Sequence, residues 1–153
     1  MTLLIDADWL IYSSCCACEQ DIQWDSNLHT LHADERDVHE MVDGRVAHYQ
    51  TIAEGDKNVV MCFTEYPTFR HTIYPEYKAN RKHKRKPLGL RKIIEGVRER
   101  YTSESYAGLE GDDVMAILAT SKKYDNPIIV SVDKDMRSVP CTLLAGDDME
   151  LIT

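Results

Sequence analysis

A chain of 153 residues is one domain's worth, long enough to bury a core, and 43% apolar with 29% charged residues excludes wholesale disorder. No run approaches the roughly 18 apolar residues of a membrane span. Met1-Thr2-Leu3-Leu4-Ile5-Asp6 reaches an acid too soon for a secretory signal, so a soluble, cytoplasmic protein is expected. The net charge of −8 argues at first against a nucleic-acid partner.

In chain order, Leu3-Leu4-Ile5 reads as a buried strand ending at Asp6, and Trp9 to Cys18 as a helix packed on it. Ile22-Gln23-Trp24 and Leu28-His29-Thr30-Leu31 flank polar turn residues and read as a hairpin. Asp34 caps a helix expected to run to about Ala53, with Val38, Met41, Val42, Val46 and Tyr49 at helical spacing and Gly55 as its stop. Asn58 to Phe63 is a second buried strand. Pro87 is expected to open a helix through about Arg100, carrying Leu90, Ile93, Ile94 and Val97 on one face. Ser105-Tyr106-Ala107 reads as a short strand, Glu110 to Lys123 as a helix, and Pro127 to Val132 as a strand ending at Asp133. Cys141 to Ala145 and Met149 to Ile152 close the chain as a hairpin around Gly146-Asp147-Asp148. Strands alternating with helices predict an α/β fold, a mostly parallel central sheet with helices on both faces.

Charge is distributed unevenly. From Lys78 to Lys92 the strip KANRKHKRKPLGLRK holds eight of the 18 Lys and Arg residues and no acid. An acidic body with one basic strip suits an enzyme that binds cations in one place and phosphates in another. The five cysteines, an odd number, point to small residues in a reducing compartment, neither a disulfide framework nor a zinc site.

Ligands of open parallel sheets gather outside the carboxyl ends of the strands. Three apolar strands deliver acids there: Asp6 and Asp8, then Glu65, then Asp133 and Asp135. Glu110, Asp112 and Asp113 follow Gly108 at a helix start. First-turn acids also cap helices, and Asp is common in turns, so each group alone has a structural explanation. Asp8 in particular reads as a cap. Their convergence on one edge is what calls for a compensating cation, and oxygen-only ligation selects Mg²⁺ or Mn²⁺ over zinc. Two such ions would serve phosphodiester hydrolysis. A phosphotransfer reading on Asp6 and Asp8 leaves the basic strip unexplained, and no phosphate-cradling glycine loop is present.

Four stretches, Leu3 to Asp8, Phe69-Arg70 with Tyr74 to Arg81, Gly108 to Asp113 and Val130 to Met136, resemble in order the 5′-nuclease family. That family comprises phage 5′–3′ exonucleases, flap endonucleases and the 5′-nuclease domain of bacterial DNA polymerase I, with the phage type nearest. The resemblance implies a PIN-like fold and a metal-dependent 5′–3′ exonuclease or flap-type endonuclease acting on DNA, or RNA, with a free 5′ end. It implies metal ligation by Asp6, Glu65, Glu110, Asp112, Asp113, Asp133 and Asp135, with Glu65 where the family usually has Asp. It implies that Lys78 and Arg81 engage the scissile phosphate, and Arg70 matches a basic position just before them. Lys82, Lys84, Arg85 and Lys86 of the basic strip are expected to contact DNA, while Tyr77, which could stack on a base, is an aromatic beside an apolar face and reads first as packing. Family members continue into a helical DNA clamp. Residues 1–153 are therefore expected to be a single catalytic domain without it, as a natural minimal nuclease, a half whose clamp comes from a partner chain, or a truncated piece of a longer protein. The alternative is a catalytically inactive nucleic-acid-binding module of the same fold, and a phage origin would place it in the host cytoplasm.

Overall fold

The computed structural model describes residues 1–55, 58–81, 84–146 and 148–152, so that Lys82, in the basic strip, and Asp147, in the closing turn, lie outside the described residues. Strand β1 (Thr2–Asp6) is buried throughout and leads directly into α1 (Ala7–Cys18), whose cap is Asp6 rather than Asp8. The hairpin β2 (Gln20–Gln23) and β3 (His29–His32) stands apart from the main sheet and is shifted from the expected ranges. Its turn is closed by the Trp24 amide on the Leu28 carbonyl at 2.8 Å, which places Trp24 and Leu28 in the loop. Helix α2 (Glu35–Ile52) starts as expected, with the Asp34 carboxylate accepting from the Arg36 amide at 2.9 Å.

Strand β4 (Asn58–Cys62) is followed by a short helix the sequence did not announce, α3 (Phe69–Ile73). None of its residues is buried, so no apolar periodicity marks it. A single 3₁₀ turn, Ala79–Arg81, comes next. Helix α4 (Leu90–Arg100) begins three residues later than Pro87, because Gly89 is left-handed at φ 70° and breaks the helical path. The following strand is β5 (Thr102–Glu104), not Ser105-Tyr106-Ala107. Its three polar residues lie at a sheet edge, where burial leaves no hydrophobic signature. Helix α5 (Gly111–Thr120) ends before Lys123, β6 is Pro127–Val130, and a 3₁₀ turn spans Lys134–Ser138. Strands β7 (Thr142–Ala145) and β8 (Asp148–Leu151) form the closing hairpin.

The main sheet runs β5-β4-β1-β6-β7-β8, five parallel strands with β8 antiparallel at one edge. Both faces are covered, which explains the unbroken apolar runs of the central strands. Leu3, Ile5, Met61 and Val130 pack under α1, α2 and α4 against Leu10, Ile11, Val42, Ile93 and Val97. Leu4, Val60, Cys62 and Ile129 face the other way, onto Val114, Met115 and Leu118 of α5. All five cysteines are free thiols. No described helix is long and apolar enough to cross a membrane. After β1 the chain moves to β4, and after β6 to β7 on the opposite side. The connections therefore diverge at the carboxyl ends of β1 and β6, where Asp6 and Asp133 stand.

Candidate functional site

At this edge one cleft is lined by Asp6, Asp8, Glu110, Asp112 and Asp133 together with Trp9, Thr64, Tyr66, Lys78 and Arg81. An adjoining cleft shares Lys78, Arg81, Glu110, Asp112 and Asp133 and adds Arg70, Tyr77, Asp113 and Asp135. Each acid is set by local structure. Asp6 ends β1 and caps α1, its Oδ1 accepting from the Trp9 amide at 3.2 Å. The buried Ser131 hydroxyl bridges two acids, lying 3.4 Å from Asp6 Oδ2 and accepting from the Asp133 amide at 3.1 Å. Asp133 caps the 3₁₀ turn through the Asp135 amide at 2.9 Å. Glu110 caps α5, and Asp113 reaches back to the Glu110 amide at 3.2 Å, a reciprocal capping box that orients the first turn.

The electrostatics follow from crowding. Burial, with the Asp8 and Asp133 charges adding to it, pushes the Asp6 carboxyl up to about 6. Burial and then Asp6, Asp133 and Glu110 push Asp112 up to about 7. Asp8 is raised as well, chiefly by burial. Asp113 goes the other way, because Arg70 grips it through two bonds of 2.7 and 3.0 Å. Arg70 also lies 3.4 Å from Glu110 Oε2, and the Lys78 ammonium donates to Glu110 Oε1 at 2.9 Å. Lys78 itself is held at φ 55°, an uncommon backbone conformation for a lysine.

Among the described residues no three acidic, histidine or cysteine side chains close into a ready-made metal cage. The donor set still suits a hard divalent cation. It is all oxygen, and Asp6 and Asp112 have elevated pKa values, through burial first and then the negative charge of neighbouring acids.

Asp6, Glu110, Asp112 and Asp133 meet in one cleft, and Asp113 and Asp135 line its neighbour. Glu65 does not join them. Its longer side chain accepts from the hydroxyl of Ser105, just past β5, at 2.8 Å and lies 3.7 Å from Arg98 on α4. Of the basic residues, Arg70, Lys78 and Arg81 line the acid clefts, whereas Arg85 is engaged elsewhere. Arg85 binds both Glu19 oxygens, at 2.9 and 2.7 Å, while Lys84 and Lys86 are exposed. Asp8, Thr64 and Ser131 also belong to the cleft or its support, and the sequence marked them only by their places at strand exits.

Comparison with known proteins gives the chain its family and its fold relatives. Residues 1–144 match the family described as 5′-3′ exonuclease, N-terminal resolvase-like domain. The exodeoxyribonuclease of Enterobacteria phage T3 is 30% identical over 146 residues, covering 90% of this chain and 48% of that protein. The exonuclease of Escherichia phage T7 is also 30% identical over 146 residues, covering 90% and 49%. A flap endonuclease Xni of Shewanella sp. is 42% identical over 71 residues, 44% of this chain and 27% of its own length. The chain thus spans about half the length of the phage relatives. Among solved structures, the T5 D15 protein co-crystallised with metal ions superposes with a TM-score of 0.64 at 13% identity, covering 98% of this chain and 56% of that one. The T5 5′-exonuclease with bound zinc gives 0.62 at 14% identity, covering 99% and 58%. Sequence and fold together place the chain in the 5′-3′ exonuclease family, as its N-terminal resolvase-like domain.

Proposed function

We propose that this chain is the catalytic domain of a divalent-metal-dependent 5′-nuclease, hydrolysing phosphodiester bonds of DNA, or RNA, near a free 5′ end. The observation that carries the reading is the meeting of Asp6, Glu110, Asp112 and Asp133 in one cleft rimmed by Lys78 and Arg81. Asp6, Asp112 and Asp133 would hold Mg²⁺ or Mn²⁺, two ions in all, with Glu110, Asp113 and Asp135 completing the set directly or through water. Bound there, the cations supply a water acidified toward hydroxide and charge compensation for the leaving oxygen. The protein's own residues do the positioning. Lys78 and Arg81 orient the scissile phosphate over the acids, and Arg70 holds Asp113 in place. Glu65 is not assigned to the ligand set, given its turn toward Arg98. Lys84, Lys86 and the rest of the strip draw in the phosphate backbone.

Cleavage of flap, nicked and single-stranded substrates with Mg²⁺ or Mn²⁺ tests this. Asp112→Asn and Asp133→Asn are each expected to lower the rate by about a hundredfold or more, the scale on which charge stabilisation at the reacting centre acts. Equal residual cleavage in the variants would trace the activity to a contaminant. A second reading is a binding module of the same fold, or a half that needs a partner for its clamp. The engagement of Glu110 and Asp113 by Lys78 and Arg70 favours it. It predicts DNA binding that is lost on neutralising Lys84, Arg85 and Lys86, with no cleavage by the parent protein.

A further inference from the structure

Asp8 is a carboxylate in the cleft that the ligand set above does not use. It sits in the first turn of α1 and is half-buried. Its Oδ2 accepts the Thr64 amide at 2.9 Å. The Thr64 hydroxyl accepts the Gly111 amide at 2.9 Å. One continuous set of bonds therefore joins the exit of β1, the exit of β4 and the first turn of α5.

Gly111 shows how tightly α5 is seated. A Cβ there would lie 3.4 Å from Asp8 Oδ2, 3.4 Å from the Cys62 carbonyl oxygen and 3.7 Å from Thr64 Oγ1. The Gly111 amide is one of the N-terminal groups that has no partner within its own helix, and Thr64 supplies that partner. The segments so joined are the ones that carry Asp6 on one side and Glu110 and Asp112 on the other.

The geometry points to Asp8 and Thr64 as positioning residues, a hydrogen-bonded strut that sets the distance between Asp6 and Asp112 and does not itself ligate the ions. This rests on the proposed reading of the acids as a cation site. Site geometry must hold to within about 0.5 Å to work, and a first turn hydrogen-bonded to a residue that a carboxylate itself holds meets that demand where a free helix end does not. The Asp8 oxygen facing α5 is already occupied by Thr64.

The test compares Thr64→Val, Thr64→Ser, Asp8→Ala and Asp8→Asn with the parent protein and with Asp112→Asn. Three quantities are read: Mn²⁺ affinity by electron paramagnetic resonance titration, hydrogen exchange at the Gly111 amide, and kcat/KM for cleavage. Thr64→Val is expected to speed Gly111 exchange and weaken Mn²⁺ binding by about fivefold, the scale of one hydrogen bond. Thr64→Ser restores both. Asp8→Asn, which keeps an acceptor for the Thr64 amide, should lose clearly less affinity than Asp8→Ala. The proposal is overturned if Asp8→Asn weakens Mn²⁺ binding as much as Asp112→Asn does, which would make Asp8 a ligand. It is equally overturned if Thr64→Val leaves affinity and Gly111 exchange unchanged. A parent protein that binds no Mn²⁺ sinks the cation-site reading instead, and the strut is then decided by Gly111 exchange in Thr64→Val against Thr64→Ser.

Discussion

Asp6 and Asp112 hold their protons at pH values where an ordinary aspartate is ionised, and that has a thermodynamic consequence. Both carboxyls are raised in the folded protein, from 3.8 to about 6 and about 7. The native state therefore binds more protons than the unfolded chain between about pH 4 and 7. The stability these groups contribute is fully present below pH 4 and is lost as pH rises through 6 and 7. Metal-free protein should gain thermal stability from Asp112→Asn at pH 8 and little or none at pH 4, read as the difference in Tm between variant and parent. Mg²⁺ should raise the parent's Tm more at pH 8 than at pH 5, because the acids must ionise to bind it. A pH-independent difference would mean that Asp112 is not crowded by its neighbours. Which acids stand at the strand ends was legible, since apolar runs point at them. Which way each side chain turns was not. Glu65 follows its strand just as Asp6 does, yet it ends on Ser105 and Arg98, a choice made by residues some forty positions away.

At the scale of elements, α5 does two jobs, since it presents Glu110, Asp112 and Asp113 and covers one face of the sheet through Val114, Met115 and Leu118. Leu118→Ala should cost about 2–5 kcal/mol of unfolding free energy by denaturant titration, because the side chain is fully buried and its cavity lies against packed strands. The basic strip is a different kind of element, tied to the body by Lys78 on Glu110, Arg85 on Glu19 and Lys92 on Glu35. Glu19 accepts from Arg85 and from the Leu88 amide at 2.7 Å, and these bonds hold its carboxyl down at about 2. If Lys84 and Lys86 meet phosphates, removing both should flatten the dependence of log affinity on log salt by up to about 2. An unchanged slope would show that neither touches the backbone. The long amphipathic helices were readable from their spacing, whereas α3 and β5 were not. Neither buries an apolar residue, so tertiary position alone defines them.

For the molecule as a whole, the net charge of −8 hides a division of labour. Asp6, Asp8, Glu110, Asp112 and Asp133 are gathered in one cleft, and eight of the 18 Lys and Arg residues fall between Lys78 and Lys92, with Lys78 and Arg81 lining that same cleft. Fold class was open to reading because strands buried on both faces leave continuous apolar runs. Strand order was not, since nothing local says that β1 lies at the middle. That central place has a consequence for biogenesis. β1 leaves the ribosome well before β4 and β6, the two strands that flank it in the sheet. Leu3, Leu4 and Ile5 must wait until β6 is made before both of their flanks are sheltered. Nascent chains halted before β6 should therefore be the species that chaperones hold and proteases cut.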